Sequence, residues 1–395
     1  MARDELPAET PVEPPAEAAD TLTEIPPPPR SRKRRPAKIP EILLALAIGT
    51  AGGWIAWQFR MPLAWMIGAM VATLVAALAG LPVRTRAGLR TLMVTILGVM
   101  LGSSFTPEIV GVLGDFAISI AVLALLAVVS GGIAYSFLRR VAGYDRVTAY
   151  FSSMPGGLTE MAIVGSQMGG DLRVISLSHS SRILLVVLTI PFAFKLLYGY
   201  QPGAAAARGP SLLETAPLDL LVLTACAVLG YLGGRLLKLP ASMLLGPMVA
   251  SAAVHLAGWS EARAPFELVN AAQVVIGCAI GTRFAGTALS LIWRTVLAGF
   301  GVTVILVGSA LLFAEVAHLL TGVPTPSLVL AYAPGGVAEM SLIAVALGSD
   351  VALVASHHIV RILMIVMAAP LLFRALERRQ LRRRGGGPGL GGGPT

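Results

Sequence analysis

Two stretches of the chain carry nearly the same residues: Ser153-Met-Pro-Gly-Gly-Leu-Thr-Glu-Met161 and Ala333-Pro-Gly-Gly-Val-Ala-Glu-Met340. Each lies inside an apolar segment, where proline removes a helix hydrogen bond and glycine permits close or left-handed backbone. We therefore predict a broken helix at both places. Broken backbone at membrane depth survives only where protein or a water-filled cavity satisfies it, so the breaks predict one of these beside them.

The similarity extends well beyond these stretches. At one constant spacing along the chain, Glu160 matches Glu339 and Pro155 matches Pro334. The further pairs are Gly156 and Gly335, Gly157 and Gly336, Asp171 and Asp350, His179 and His358, and Arg182 and Arg361. The chain is therefore read as an internal duplication, with repeat 1 over 39–198, a linker over 199–216 and repeat 2 over 217–375.

The composition indicates a membrane protein. Of 395 residues, 55% are hydrophobic and 13% are charged, whereas soluble domains carry roughly 25% charged residues. This excludes a soluble enzyme and a free DNA-binding protein. The two cysteines and five histidines supply neither a disulfide framework nor a repeated metal-ligand set, so we expect no metal, no cofactor and no enzymatic activity.

Twelve apolar segments form the predicted all-α fold, and most approach the ~20 residues that cross a bilayer. They are 41–59, 63–80, 91–106, 111–137, 147–169, 172–198, 217–236, 241–258, 267–284, 289–318, 327–348 and 351–373.

The net charge of +9 is concentrated near the ends of the chain. The predicted tail 1–38 is disordered, acidic at first and then basic, and 376–395 is basic and rich in glycine and proline. Basic clusters beside membrane spans stay in the cytoplasm and touch anionic headgroups. We therefore expect both termini inside a bacterial inner (plasma) membrane, with the lipid bilayer as partner and no specific nucleic acid.

The loop arginines favour inverted repeats. Arginine is frequent in the loops after the second and fourth segments of repeat 1 and scarce in their counterparts. The residues are Arg84, Arg86, Arg90, Arg139, Arg140 and Arg146 in repeat 1 against Arg263 in repeat 2, while Arg235, Lys238 and Arg283 occupy the alternate loops. Inversion predicts ten crossings and two re-entrant Pro-Gly-Gly hairpins; the alternative is twelve crossings with parallel repeats.

The predicted site groups charged residues around the breaks. Glu160 and Glu339 lie one turn beyond them, where a carboxylate either complements its own helix end or exchanges a proton or cation with substrate binding. An isolated charge in hydrocarbon costs about 2.5–3.5 kcal/mol on insertion scales, so its repetition favours function.

The His-x-x-Arg pairs share one helix face. Each arginine either pairs with an acidic residue (Arg182 with Glu160 or Asp171, Arg361 with Glu339 or Asp350) or binds an anionic ligand. Each histidine either titrates or is a hydrogen-bonded core residue. Close helix packing is predicted at Gly98, Gly102, Gly277 and Gly281.

The repeated signature of Pro-Gly-Gly, Glu-Met, Asp, His-x-x-Arg-Ile and Pro resembles the AbrB-duplication family of bacterial inner-membrane proteins over roughly residues 40–375. Members are named as regulators of gene expression or, misleadingly, as ammonia monooxygenase. The resemblance implies an inner-membrane location and a loose link to gene regulation. More remotely, the duplicated halves with broken helices resemble the cation/proton antiporter and anion transporter superfamily, which implies alternating access around a midplane site.

Two functions follow as hypotheses. The first is a secondary transporter of a small anionic or zwitterionic solute, coupled to protons through Glu160 and Glu339. The second is an integral-membrane regulator or sensor that affects gene expression indirectly. A small-molecule or ion ligand is expected in both, and a homo-oligomer is left open.

Overall fold

Helices make up the regular structure of the part of the chain that the structure describes, residues 37–105, 113–199, 209–239 and 241–385 of a computed structural model. They are α1 Ile39–Gln58, α2 Ala64–Leu78, α3 Ala87–Gly102, α4 Leu113–Arg140, α5 Arg146–Ser153, α6 Leu158–Gln167, α7 Leu172–Tyr198, α8 Pro217–Leu236, α9 Ser242–Leu256, α10 Phe266–Gly281, α11 Leu289–Thr321, α12 Thr325–Tyr332, α13 Val337–Leu347 and α14 Val351–Gly385. The predicted apolar segments coincide with these helices, and each Pro-Gly-Gly segment divides into two short ones.

The duplication extends to the backbone conformation. Arg60 and Leu63 have positive φ of 50° and 49° in the turn between α1 and α2. Lys238 and Ala241, at matched positions between α8 and α9, have φ of 51° and 48°. Residues other than glycine adopt this left-handed conformation only occasionally, so its recurrence at matched positions shows that α1–α7 and α8–α14 are two copies of one unit.

The length and surface of the helices identify a polytopic membrane protein. Six helices, α1, α4, α7, α8, α11 and α14, are long and apolar enough to cross a bilayer. The helices α2, α3, α9 and α10 have 15 or 16 residues, which span about 22–24 Å. Large apolar side chains such as Val128, Leu196 and Leu312 are exposed on the outside, as expected of surfaces that face lipid.

Each Pro-Gly-Gly segment is a re-entrant hairpin, as predicted. His179 bonds the Phe151 carbonyl and Arg182 bonds the Met154 carbonyl, both 28 residues back, so α7 runs parallel to α5. The Asp171 N–H donates to Thr148 Oγ1 at 2.9 Å, so the chain returns to the level at which α5 began.

The second hairpin repeats this geometry. His358 bonds the Leu330 carbonyl and Arg361 bonds the Ala333 carbonyl, again 28 residues back. Helix α14 therefore runs parallel to α12 and starts at its level. Arg361 lies ten residues into α14, and a rise of 1.5 Å per residue places it roughly 15 Å along the helix from its start, a distance equal to half the thickness of the hydrocarbon.

The two repeats are inverted. The Tyr150 hydroxyl donates to the Ala369 carbonyl at 2.9 Å, and Gly156 lies against Ile365. Residue numbers on α14 therefore fall as those on α5 rise, and the helices are antiparallel. Because α7 is parallel to α5, α7 and its counterpart α14 run in opposite directions, which excludes the parallel arrangement.

Glycine contacts interlock the repeats. Gly98 and Gly102 of α3 lie against the backbone of α9, and Gly277 and Gly281 of α10 lie against the backbone of α2. A β-carbon at any of the four would overlap the facing helix. The predicted close packing is thus confirmed, and both pairs join a helix of one repeat to a helix of the other.

Parts of the predicted organisation lie outside the described residues, namely most of the tail 1–38, positions 200–208 of the linker and 386–395. Helix α14 continues to Gly385, ten residues beyond the predicted end of repeat 2. Its last turns are rich in arginine and leucine, which favour helix.

Candidate functional site

The two breaks meet at one small cavity. Pro155 and Pro334 are both buried and line it together. The other lining residues are Leu123, Leu126, Ala127, Ser130, Leu306, Tyr332 and Arg361. The cavity has room for about one water molecule. A single small space between the repeats therefore lies beside both broken helices.

Arg361 secures the second break. Its guanidinium is 2% exposed; Nη1 donates to the Ala333 carbonyl at 2.7 Å and the Tyr332 carbonyl at 3.3 Å. Nη2 donates to the Gly335 carbonyl at 2.9 Å. These carbonyls lie where the helix is interrupted, so the planar fork of arginine supplies donors that the broken helix lacks.

Arg182 is equally buried but makes fewer hydrogen bonds than Arg361. Nη1 donates to the Met154 carbonyl at 3.0 Å, the counterpart of the bond from Arg361 to Ala333. Nε of Arg182 is buried without a hydrogen-bond partner. The two half-sites therefore have the same residues but different hydrogen bonding.

The two site histidines are core residues that tie the hairpins to the following helices. Nε2 of His179 lies 3.0 Å from the Phe151 carbonyl, and Nε2 of His358 lies 2.9 Å from the Leu330 carbonyl. A carbonyl only accepts, so Nε2 is the donor. Nδ1 of His358 accepts from Arg361 at 2.8 Å, which requires a neutral ring. Of the two alternatives for these histidines, the geometry favours the hydrogen-bonded core residue.

The glutamates lie at the breaks but do not line the cavity. Glu339 is 6% exposed, and Glu160 is half-buried. The Glu160 carboxylate lies against Gly157, the N-cap of its own helix, and the Glu339 carboxylate lies against Gly336 in the same way. Each therefore complements the positive end of its own half-helix.

The ion pairs weighed for the arginines do not form. Among the described residues, the ion pair present is Arg84 with Glu41, at 3.9 Å. Asp171 accepts from Arg173 N and Val174 N at the start of α7. Asp350 accepts from Leu353 N at the start of α14. These aspartates are helix caps, about 15 Å along the helix from the arginines.

A third arginine, which the sequence placed in a loop and not in the site, lies near the breaks. Arg283 donates from Nη1 to Ser180 Oγ at 3.3 Å and lies within electrostatic reach of Glu339. Its matched position in repeat 1 is Ser104, so a search for duplicated residues passes over it. Its position inside the apolar segment 267–284 was the signal that could have revealed it.

A second unrepeated feature is His357, which is fully buried. Nε2 lies 2.7 Å from Ser119 Oγ, and the Tyr332 hydroxyl donates to the Ser119 carbonyl at 2.7 Å. This network attaches α4 to the second hairpin. The matched position in repeat 1 is Ser178, so repeat 1 has no imidazole there and the half-sites differ again.

Known proteins resemble the chain over most of its length. The family described as "Transition state regulatory protein AbrB" matches residues 65–377. "Uncharacterized protein YhjN" of Bacillus subtilis (strain 168) is 29% identical over 357 residues, which cover 84% of this chain and 92% of the relative. "Putative regulator AbrB" of Escherichia coli (strain K12) is 33% identical over 163 residues, 40% of this chain and 44% of the relative. Since the family matches most of the chain, on a fold of inverted, broken-helix repeats, the protein belongs to the AbrB family.

Proposed function

We propose that the protein is a secondary transporter of a small anionic solute in a bacterial inner membrane, with both termini in the cytoplasm. One observation carries the proposal: the breaks of two inverted repeats, at Pro155 and Pro334, line one cavity with the buried Arg361. Inverted repeats with interrupted helices around a midplane site are the architecture of alternating access.

The difference between the half-sites supports an alternating cycle. The Arg361 guanidinium makes four hydrogen bonds to the second break and His358, while a single bond joins Arg182 to the first break. The two repeats could exchange these hydrogen-bonding states, because the arginine, the histidine and the hairpin carbonyls occur at matched positions in both. The exchange would move access to the cavity from one side of the membrane to the other.

The charges favour an anion. Arg182 and Arg361 are close enough for their charges to repel, and neither has a carboxylate partner among the described residues. Two buried, unneutralised guanidinium groups are costly in hydrocarbon. An anionic solute would offset this cost when it binds between the repeats.

Glu160 and Glu339 would carry the coupling protons. Each carboxylate lies at the positive end of a half-helix, so protonation would remove the attraction that holds it there. A change in protonation could in this way alter the break and, with it, access to the cavity.

The test is uptake of a panel of radiolabelled carboxylates into proteoliposomes under an imposed pH gradient. Glu160→Gln and Glu339→Gln should abolish the dependence on the gradient while the protein still inserts. The exposed Glu261→Gln is the matched control and should retain it. Unchanged gradient-driven uptake in both glutamate variants at the breaks would remove the coupling role from the proposal.

A regulator or sensor is the second candidate, favoured by the printed name of the Escherichia coli relative. In this alternative the same cavity binds a solute, and the tails signal to a cytoplasmic partner. Deletion of 1–29 and 385–395 separates the two functions. A regulator loses its transcriptional output, whereas a transporter keeps its flux.

A further inference from the structure

The cavity between the breaks has a cationic and a hydrocarbon component. Among the described residues that line it, Arg361 bears the charge, and Ser130 and Tyr332 contribute hydroxyl groups. The Tyr332 hydroxyl already donates to the Ser119 carbonyl. Leu123, Leu126 and Ala127 of α4 and Leu306 of α11 supply the hydrocarbon surface. The cavity thus suits a ligand with one anionic group and an apolar remainder.

The cationic component retains binding capacity. Arg361 is 98% buried, and its Nε has no hydrogen-bond partner. A buried guanidinium N–H without an acceptor is unfavourable, and a carboxylate accepts from the planar guanidinium edge with good geometry. An anionic ligand would therefore satisfy a group that the protein alone leaves unsatisfied.

The lining also discriminates between classes of anion. A zwitterion needs a carboxylate for its ammonium group, and neither Glu160 nor Glu339 lines the cavity. A dicarboxylate or phosphate would place additional charge against the leucines, which cannot solvate it. A ligand with a single negative charge and a hydrocarbon chain matches both components of the lining, the charge with Arg361 and the chain with the leucines.

We propose, on the basis of the transport function proposed above, that the ligand is a short-chain aliphatic monocarboxylate. Its carboxylate binds Arg361, and its chain lies against Leu123, Leu126 and Leu306. The chain is short because the cavity has room for only about one water molecule, so each added carbon must be accommodated by separation of α4 from α11.

The first experiment measures binding of radiolabelled butyrate to the detergent-purified full chain at pH 8. Unlabelled butyrate should displace the label, whereas succinate, alanine, phosphate and butylammonium at equal concentration should not. Across acetate, propionate and butyrate, affinity should rise with each methylene group, by at most about fourfold, since burial contributes ~0.8 kcal/mol and separation of α4 from α11 offsets part of it. A flat series, or displacement by succinate or phosphate, overturns the ligand class.

The second experiment changes the lining. Leu306 is 2% exposed, and Leu306→Ala should enlarge the hydrocarbon component, so that hexanoate gains affinity relative to butyrate by about tenfold. Leu312→Ala, on the lipid-facing side of the same helix, is the matched control and should leave the ratio unchanged. An unchanged ratio in Leu306→Ala places the chain elsewhere and overturns the proposed site.

Arg361→Ala should reduce butyrate affinity by roughly 10- to 100-fold, as expected for loss of a charge-assisted hydrogen bond. Since Arg361 also stabilises the break, the alanine variant could fail to fold, and Arg361→Lys then tests binding. Lysine keeps the charge but lacks the planar fork of the guanidinium. We expect butyrate to bind this variant about tenfold more weakly. Wild-type affinity in Arg361→Lys would contradict a ligand contact with the guanidinium Nε.

The experiments distinguish a failure of the proposed ligand class from a failure of the proposed transport function. Butyrate binding without gradient-driven uptake supports the ligand class and contradicts the transporter. Gradient-driven uptake of succinate without butyrate binding supports the transporter and contradicts the ligand class.

Discussion

At the residue scale, the structure explains why arginine follows each break. A helix interrupted at membrane depth has carbonyls without helical donors, and water cannot reach them. Arg361 bonds three such carbonyls from the following helix. Lysine presents a compact charge without the planar fork, and a carboxylate partner would leave the carbonyls unsatisfied. Arg361 therefore stabilises the backbone of the hairpin in addition to its proposed role in ligand binding.

The histidines allow this role to be measured. His179→Ala removes one bond to the Phe151 carbonyl, whereas His358→Ala removes the equivalent bond and also the acceptor for Arg361. Both rings are fully buried, so the loss of packing is matched. We expect His358→Ala to cost about 1.5–3 kcal/mol more than His179→Ala, the range for a hydrogen bond to a charged group. Thermal unfolding in micelles measures it; equal midpoints would contradict the assigned bond.

At the element scale, the glycines of α3 and α10 determine how closely the repeats approach. Gly277→Ala places a methyl group against the backbone of α2 and should destabilise the protein by about 1–3 kcal/mol. At Gly308 of α11 an added β-carbon meets open space, so Gly308→Ala should be neutral or stabilise the helix by up to ~1 kcal/mol. The unfolding midpoint should fall in Gly277→Ala and stay unchanged or rise in Gly308→Ala, and a loss of stability in both would indicate a general intolerance of alanine.

Sequence reasoning predicted the elements well and the contacts between side chains less well. Proline, glycine and apolar runs report local conformation, so the segments, both breaks and the glycine packing are readable from the chain. The hydrogen-bond partners of Arg182 and Arg361 could not be predicted from the sequence. Residue spacing places a guanidinium on a helix face without indicating whether a carboxylate or a carbonyl contacts it. Leu123 and Leu306 have no signature at all, since cavity residues on α4 and α11 resemble any buried leucine.

At the scale of the whole molecule, inversion places the two hairpins on opposite sides of the membrane. The arginines before α5 place the first hairpin's open end in the cytoplasm, and the antiparallel α7 and α14 then place the second hairpin's open end outside. Tyr144 precedes the first hairpin and Val323 the second, so each marks one side.

Single cysteines at these positions test the arrangement in intact cells. An impermeant maleimide should label Val323→Cys directly and Tyr144→Cys only after the membrane is opened. Cys226 and Cys278 are both buried and can stay, provided that the unsubstituted chain remains unlabelled. Labelling of both introduced cysteines from the same side would mean that the repeats are parallel in the membrane. A single cavity shared by two oppositely oriented hairpins, and with it alternating access, would then lose its structural basis.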